Sequence, residues 1–417
     1  MTSTTGWPSN SANPLLLLSR RGPMTNGTGI ARSAVVAGAG IGGLATAIGL
    51  RRCGWSVTVL EQAPEMREAG AGWSFAQNAI RAIDYLGLGK EFRAISFPSE
   101  AAGTLLTPSG EYLMRFRADH DDTVLANHRA ELQHMLATQL PADCVRTDAR
   151  ITGVRQFDES VTVSYHTEGG QQEINAALVV GADGIDSAIR RSVWPSAKTP
   201  AYQRILCWRG VTQPESVWPV EGFQTWGRGA RFGAHPLTGQ RVFWFLAVRQ
   251  PRPGQRYDDA LAEVRRRTQG WHAPIPQLLD ATAPTSVLCH DIYDLDPLPS
   301  YVDRRVVLLG DAAHAMTPFL AQGACQAFED AAVLAAILTD APEVPAALTE
   351  YDRVRRPRTQ AVVKMARSDP RISLSTSKLT YWLMTRLTKL AGARIGRRKT
   401  AGLWSWTAPA NAAPSHH

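Results

Sequence analysis

The clearest alternation of apolar and polar segments lies near the start of the chain. A short apolar run, Ala34–Ala37, is typical of a strand buried in a parallel sheet. A glycine-rich turn follows, then a small-residue helix to about Cys53 and a second apolar run, Val57–Leu60, which ends at Glu61. The pattern therefore predicts a strand–helix–strand unit whose first turn is made of glycines.

Two later apolar runs have the same form, a buried strand followed by a small-residue turn. They are ALVVGADGIDSAIRR, which contains Asp183, and RVVLLG, which ends at Gly310 just before Asp311. In open α/β sheets, ligands bind outside the carboxyl ends of the strands. We expect the three turns to meet at one edge of a parallel sheet.

In the rest of the chain the apolar residues recur with other periods. Alternation over Arg204–Val248 predicts a mostly antiparallel sheet, and a turn at Pro108–Gly110 predicts a hairpin. After Pro357 the apolar spacing is helical. The predicted fold class is α/β: a Rossmann-like domain with a parallel sheet, a substrate domain on a mostly antiparallel β-sheet, and a C-terminal helical segment.

The length of 417 residues is enough for two or three structural units. We expect a discontinuous cofactor-binding domain, a discontinuous substrate domain, a helical region and disordered ends. Met24 is an alternative start of the chain. The predicted ranges are 33–100, 120–195 and 290–345 for the cofactor-binding domain, 101–119 and 196–289 for the substrate domain, 346–405 for the helical region, and 1–32 and 406–417 for the ends.

The composition indicates which broad class of protein this is. Apolar residues make up 44% of the chain and charged residues 20%, which is ordinary for a soluble globular protein. No apolar run approaches the ~20 residues that span a bilayer. The five cysteines are odd in number and form no C-x-x-C pair, which favours reduced thiols in a cytoplasmic protein over a zinc ribbon or a redox dithiol.

The net charge of +8 comes from scattered arginine clusters at Arg265–Arg267, around Arg355 and near the end of the chain. Aromatic residues do not interleave with them as nucleic-acid binding favours. We interpret the clusters mostly as solvated faces and predict no nucleic-acid partner.

Gly38, Gly40 and Gly43 form a G-x-G-x-x-G turn between the first strand and its helix. The first glycine permits a tight turn, the second lets the backbone approach a pyrophosphate, and the third lets helix and strand pack closely. Glu61, at the end of the second strand, is placed to accept hydrogen bonds from a ribose 2′-hydroxyl. The segment predicts a dinucleotide site; the alternative is a glycine-rich turn in an unrelated α/β domain.

The segment GDAAHAMTPFLAQGACQAFED, residues 310–330, places an acid three residues before His314. An acid–base pair, a metal site and a cofactor contact all fit this spacing. No cluster of histidines or carboxylates at coordinating spacing lies nearby, so we expect a structural histidine and no metal.

These elements together resemble the single-component FAD-dependent aromatic hydroxylases, the group A flavoprotein monooxygenases built like p-hydroxybenzoate hydroxylase. The resemblance runs from about Ala34 to Pro357. GAGIGG is similar to the family's ADP-binding element, GADGIDSAIR to its acid–glycine motif, and GDAAHAMTPFLAQGACQAFEDA to its second flavin motif. HRAELQHML resembles the helix whose arginine, here Arg129, reaches the FAD phosphates. ILCWRGV and RVFWFLAVRQP are most similar to the branch of salicylate hydroxylases, FAD-dependent urate hydroxylases and zeaxanthin epoxidases.

The resemblance implies roles for single residues. Asp311 would bind the ribityl hydroxyls of FAD, and Pro318 would form a wall beside the isoalloxazine ring. The N–H groups that begin the following helix would face the flavin N1–C2 carbonyl, where reduction places negative charge. Ala321 stands where the family often has glycine. The implied cofactor-binding residues are Gly38, Gly40, Gly43, Glu61, Arg129, Asp183, Gly184, Gly310, Asp311, Gln322, Gly323 and Ala324.

The implied reaction uses NADH or NADPH to reduce FAD, and O₂ to form a flavin C4a-hydroperoxide. One oxygen atom is then inserted into an aromatic or heteroaromatic small molecule. The alternatives are epoxidation of an olefinic or terpenoid substrate by the same chemistry, a flavin reductase or dehydrogenase without oxygen insertion, and a nucleotide-binding regulator without turnover.

The substrate is expected between the flavin and the central β-rich segment. Arg209 and His235 are the better candidates there, because a polar side chain between apolar strand neighbours needs a partner. For the aromatic candidates, ordinary sheet packing is the alternative. The candidate lining residues are Arg209, Trp226, His235, Trp244 and Phe319, and the candidate catalytic residues are Pro318, Arg209 and His235.

A last pattern lies in the segment KLTYWLMTRLTKL. Leu379, Trp382, Leu383, Leu387 and Leu390 share one helical face. Packing in the core or between subunits is the favoured interpretation, and contact with a membrane surface is the alternative. The expected assembly is a monomer or a homodimer.

Overall fold

The computed structural model describes residues 32–66, 72–99, 104–115, 124–214, 216–217 and 220–410. The predictions made for residues 1–31 and 411–417 lie outside these ranges. No helix in the described ranges is long and apolar enough to cross a bilayer.

The strands of the described residues form four sheets. In chain order they are β1 Ser33–Ala37, β2 Ser56–Leu60, β3 Gly72–Phe75, β4 Phe97–Ser99, β5 Leu105–Leu106, β6 Tyr112–Met114, β7 Val124–His128, β8 Val145–Arg146, β9 Arg150–Gln156, β10 Val161–Thr167, β11 Gly170–Ala176, β12 Leu178–Gly181, β13 Ala201–Val211, β14 Phe223–Gly227, β15 Ala230–Leu237, β16 Arg241–Arg249, β17 Leu288–Asp294, β18 Val302–Asp303 and β19 Val306–Leu308.

The helices range from single turns to two long C-terminal segments. They are α1 Ile41–Arg52, α2 Gln77–Tyr85, α3 Gly89–Ala94, α4 Arg129–Thr138, α5 Ala188–Val193, α6 Ala260–Arg267, α7 Ile275–Asp280, α8 Asp311–His314, α9 Gly323–Thr339, α10 Val344–Ser373 and α11 Lys378–Trp404.

The first sheet has the order β18-β19-β12-β1-β2-β8, and β19, β12, β1 and β2 run parallel in it. Its inner strands are buried on both faces, as their unbroken apolar runs predict. Ala34 and Val36 pack towards α1 and α9, whereas Val35 and Ala37 pack towards the three-stranded sheet β11-β10-β9. The carboxyl ends of β1, β12 and β19 therefore lie side by side, which confirms the predicted meeting of the three turns.

The largest sheet has the order β17-β13-β16-β15-β14-β5-β6 and is antiparallel except where β5 pairs with β14. Alternate residues of its strands form two different cores. Leu206, Trp208 and Leu246 pack with α6 and α7 on what we call the back face. Cys207 and Ala247 pack with Phe319 on the opposite front face, which looks towards the parallel sheet. The α/β fold class is thereby confirmed.

Two predictions about the C-terminal part need correction. Arg355 is not on a solvated face: it is fully buried. The predicted disordered end begins too early, because Arg81 donates hydrogen bonds to the backbone carbonyls of Trp404 and Trp406, at 2.6 and 3.0 Å.

Candidate functional site

The glycine turn after β1 is closed by contacts that exclude side chains. A Cβ on Gly43 would lie 2.0 Å from the Gly38 carbonyl oxygen, and one on Gly38, whose φ is +95°, would lie 2.7 Å from the Ala182 carbonyl oxygen. A Cβ on Gly40 would meet no atom within 4 Å. The first and third glycines are thus fixed by packing, and the second faces open space where a ligand can approach the backbone.

Helix α1 begins at this turn with its N-terminal N–H groups free of side-chain caps. Its N-cap Gly40 offers no acceptor, and its first turn has no acidic residue. The positive end of a helix without its own acidic partner is a site for a phosphate.

Glu61 holds the loop that surrounds this helix end. One carboxylate oxygen accepts the Ala39 N–H at 2.7 Å, and the other accepts the Ala63 N–H at 2.9 Å. The Gly38 N–H donates to the Leu60 carbonyl at 2.7 Å. Glu61 therefore shapes the glycine turn, a role that its spacing alone does not predict, and it remains half-buried at the rim.

Asp183 follows β12 at the same edge. One carboxylate oxygen accepts the N–H groups of Ala188 and Ile189 at 2.7 and 3.1 Å and so caps α5. Its other oxygen is buried and has no partner among the described residues. Gly184, with φ of +78°, has open space beside it. The loop at this shared edge thus holds one unsatisfied acceptor.

Arg190 connects this loop to the turn after β19. Its side chain is buried and donates to the carbonyls of Ala312 at 2.8 Å and of Ile185. Two of the three turns are therefore fastened together by one guanidinium group.

Asp311 begins α8 after Gly310, which adopts φ of +54°. Its carboxylate is open to solvent, yet its pKa is raised because the surrounding protein desolvates it, while His314 and Arg129 act in the opposite direction. Both properties suit a carboxylate beside the space between this sheet edge and the front face of the large sheet, which we call the groove. A Cβ on Gly323 would lie 4.0 Å from its Oδ1.

The chain then passes through the short 3-10 turn Pro318–Leu320 into α9. Ala321 adopts the left-handed conformation, φ +51°, which explains why glycine suits this position. Gln322 is the N-cap residue of α9, but its side chain makes no hydrogen bond to the helix backbone. The buried Nε2 atom of Gln322 has no partner among the described residues. Gly323 and Ala324 remain half-buried, so this helix end is also free for an anion.

His314 points away from the groove. Its Nε2 lies 2.6 Å from Asp330 Oδ2, and both side chains are buried. Among the described residues, no group of three or more His, Cys, Asp or Glu is arranged to hold a metal ion.

Behind α9 lies an ion network that sequence reasoning missed. The fully buried Arg355 contacts Asp330 Oδ1 at 2.7 Å and Glu329 Oε2 at 2.5 Å. Arg358 also pairs with Glu329, at 2.6 Å. Burial acts to raise the pKa of Asp330, but His314 and Arg355 together outweigh it and hold that pKa well below its usual range. The adjacent acids Glu329 and Asp330 in an otherwise apolar segment, followed by an arginine-rich segment, were the available signal.

Arg129, at the start of α4, lies between the two sheets. Its guanidinium carbon is 5.0 Å from the centre of the Trp73 ring. Burial lowers its pKa, the charge of Arg209 lowers it further, and Asp311 raises it. These couplings bring together a residue expected at the cofactor and one expected at the substrate.

The front face of the large sheet carries most of the predicted substrate residues. Arg209 alternates with the back-face residue Trp208, and Arg231 lies beneath both Trp226 and Phe319, at 5.7 and 5.1 Å from the ring centres. His235 lies next to Phe243 with nearly parallel rings. Trp244 corrects the prediction: it is fully buried on the back face, and its Nε1 donates to Thr282 at 2.9 Å.

His235 is neutral at neutral pH. Burial, followed by the charge of Arg231, lowers its pKa to about 4. An imidazole in this state offers one nitrogen as an acceptor and the other as a donor.

Arg231 is a charged residue of the front face that sequence reasoning missed. It is 5% exposed and contacts Asp369 at 2.8 Å, the Gln224 side chain at 2.8 Å and the Phe319 carbonyl at 3.4 Å. It therefore connects the sheet, the 3-10 turn and α10. The sequence did contain a signal for this residue: a charged side chain four positions before His235 in the same buried strand.

The groove between the two sheets fits a flavin dinucleotide. It offers a glycine turn with open space, two uncapped helix ends, the unsatisfied Asp183 oxygen and the Asp311 carboxylate. A family described as "FAD binding domain" matches residues 32–366.

Comparisons with individual proteins agree over nearly the whole chain. Aurachin C monooxygenase/isomerase of Stigmatella aurantiaca is 35% identical over 376 residues, 88% of this chain and 97% of that protein. FAD-dependent urate hydroxylase of Klebsiella pneumoniae is 31% identical over 344 residues, 80% of this chain and 88% of that protein. The crystal structure of Klebsiella pneumoniae HpxO complexed with FAD and uric acid has a TM-score of 0.81 at 27% identity, covering 89% of this chain and 97% of that one.

Proposed function

This chain belongs to the FAD binding domain family, and from that premise we propose how its groove works as the site of an FAD-dependent monooxygenase. The enzyme consumes NADH or NADPH and O₂, and we propose that it oxygenates an aromatic or heteroaromatic small molecule. Bound FAD supplies the reaction with O₂ and the transfer of one oxygen atom.

The residues at the edge of the parallel sheet hold and orient the cofactor. We assign the pyrophosphate to the start of α1 and to Arg129, and the ribityl chain to Asp311. The uncapped start of α9, at Gln322–Ala324, stabilises negative charge on the ring. Directed N–H groups of this kind contribute about 2.7–4 kcal/mol each where they face a buried oxyanion.

The front face of the large sheet supports the assignment of the substrate. Arg209, Arg231, Trp226 and Phe319 give it positive charge beside aromatic rings, which suits an electron-rich ring bearing an acidic hydroxyl group. This combination is the observation that carries the proposal. It agrees with the names of relatives such as 3-amino-4-hydroxybenzoate 2-monooxygenase of Streptomyces cremeus and 3-hydroxybenzoate 6-hydroxylase 1 of Aquipseudomonas alcaligenes.

Two of the predicted catalytic residues have complementary roles in this proposal. The neutral His235 accepts a hydrogen bond from the substrate hydroxyl. Arg209 stabilises negative charge that develops on that oxygen. Pro318, exposed at the groove, forms part of its wall and excludes water.

The test is a screen of NADH and NADPH oxidation against phenols, N-heteroaromatics and polyenes, with O₂ consumption and product mass measured together. We expect a product one oxygen atom heavier than a phenol or heteroaromatic. A polyene epoxide as the only product would show that the substrate is an olefin and would contradict the proposed aromatic substrate class. Flavin reduction with no oxygenated product from any class would overturn the proposed oxygenation.

We further propose the organisation and location of the enzyme. The cofactor domain comprises 33–100, 120–195 and 290–345, and the substrate domain 101–119 and 196–289. All five cysteines are unpaired, which suits the cytoplasm as the source of NADH or NADPH. A monomer or a homodimer is proposed as the assembly.

A further inference from the structure

Helix α11 exposes an apolar stripe that nothing in the described part of the chain covers. Five large apolar side chains lie within one arc of the helix. Their exposed fractions are 73% for Leu379, 55% for Trp382, 49% for Leu383, 53% for Leu387 and 84% for Leu390. Isolated exposed leucines are ordinary, but a continuous stripe marks an interaction surface. The expectation was packing in the core or between subunits; the exposure contradicts packing in the core, and packing between subunits stays a prediction.

The opposite side of α11 is fixed to the body of the protein. Met384 is buried, and the Tyr381 hydroxyl donates to the Trp226 carbonyl at 2.8 Å. Lys389 pairs with Glu111 beside β6. The stripe is thus held outward by its own helix, next to the edge of the sheet whose front face we assign to the substrate.

The charge of α11 indicates what the stripe contacts. Its sequence contains seven basic and no acidic residues. The basic residues are Lys378, Arg386, Lys389, Arg394, Arg397, Arg398 and Lys399. Arg386 lies within the apolar arc, its guanidinium carbon 5.8 Å from the centre of the Trp382 ring.

A second copy of the chain is a poor partner for such a helix. In a two-fold symmetric interface each copy contributes the same patch. Two helices without a single acid would then face each other with like charges. An anionic lipid surface instead complements the basic residues and accepts leucine and tryptophan side chains at its boundary.

We propose that the exposed stripe of α11 docks the protein onto an anionic phospholipid bilayer. The leucines and Trp382 enter the boundary between headgroups and acyl chains, while Lys378 and Arg386 contact anionic headgroups. The helix lies in the plane of the surface. This inference is independent of the oxygenation reaction, because binding is measured without substrate.

The test is co-sedimentation of the FAD-loaded protein with vesicles of phosphatidylcholine alone, or of an equal mixture with phosphatidylglycerol. We expect binding to the mixed vesicles that weakens as salt is raised. The double variant Leu387→Ser/Leu390→Ser should bind at least about ten-fold more weakly, since two apolar side chains are lost from the interface. Arg386→Glu should also weaken binding, by about ten-fold.

The matched control is Phe157→Ser, which removes an exposed aromatic ring, 48% accessible, from the turn after β9. It should bind vesicles as the wild type does. All variants should retain their FAD content and melting temperature, because the changed side chains are exposed. Absence of binding to mixed vesicles, equal binding to both vesicle types, or equal binding by the leucine variant would overturn the proposal. A lipid-free dimer that the leucine variant dissociates would overturn it as well, and would assign the stripe to a second copy.

Discussion

At the scale of single residues, the groove depends on polar atoms that the protein itself leaves without a partner. The free oxygen of Asp183, the free amide of Gln322 and the open carboxylate of Asp311 are all at or beside the same sheet edge. Buried polar groups are nearly always satisfied. The two buried atoms, of Asp183 and Gln322, lie beside the Asp311 carboxylate and therefore indicate a ligand that completes their hydrogen bonds.

Replacing Asp311 with alanine should release the cofactor while leaving the fold intact. Loss of a charged hydrogen-bonding partner costs about 1.5–3 kcal/mol, so we expect FAD affinity to fall roughly ten- to one-hundred-fold. Flavin absorbance per protein, measured after gel filtration, reports the occupancy. Asp158→Ala, at an exposed turn, is the control and should stay yellow. Full FAD occupancy in Asp311→Ala would refute the assignment of Asp311 to the cofactor.

His235 makes the folded protein sensitive to moderate acid. Because its folded pKa is lowered to about 4, the unfolded chain takes up a proton first as the pH falls through about 6.5. Stability should therefore decline from about pH 6.5 to pH 4, by on the order of 2–3 kcal/mol. The free energy of unfolding of His235→Gln should depend less on pH in this window. The exposed His166→Gln is the control, and an unchanged pH slope in His235→Gln would contradict the assignment.

At the scale of elements, α9 is positioned by the buried ions behind it. Asp330 accepts the Gly310 N–H at 3.0 Å, so the helix and the turn that carries Asp311 share one carboxylate. Asn78 of α2 donates to Glu329 at 2.7 Å and to Gln322 at 3.0 Å. The network therefore fixes both the direction of α9 and the turn that precedes it.

Removing Arg355 from this network should strongly lower the free energy of unfolding. Arg355→Met leaves two buried acids without their main partner, which typically costs 3–5 kcal/mol. The control is Arg353→Met, two residues earlier on the other side of the same helix. It breaks only an exposed pair with Glu350 and should cost no more than ~1 kcal/mol. Urea unfolding of both variants measures the difference. Equal stability of the two variants would show that the network contributes little.

At the scale of the whole molecule, the two sheets carry the two halves of the proposed site. The parallel sheet brings together the three turns that we propose bind the cofactor, and the large antiparallel sheet presents the charged, aromatic face that we propose binds the substrate. Arg129, Arg209 and Arg231 line the space between them, and their mutual repulsion is reduced by Asp311 and Asp369. A charged ligand that enters this space completes the balance of charge.

The parallel sheet, its glycine turn and the family could all be predicted from the sequence alone. Unbroken apolar runs and glycines at fixed spacing are local consequences of strands buried on both faces and of a backbone that must approach a phosphate. The alternating strands of the large sheet were equally visible, because a strand has a period of two.

Which of those strand residues face the groove depends on how the strands pair and pack in three dimensions, and could not be predicted. Trp226 and Trp244 both lie in predicted strands, but the pairing of β14, β15 and β16 places them on opposite faces of the sheet. Likewise, Arg355 looks like a surface residue until α10 packs against α9. Side-chain partners that are distant in the chain depend on how elements pack, and the local pattern of one segment does not contain that information.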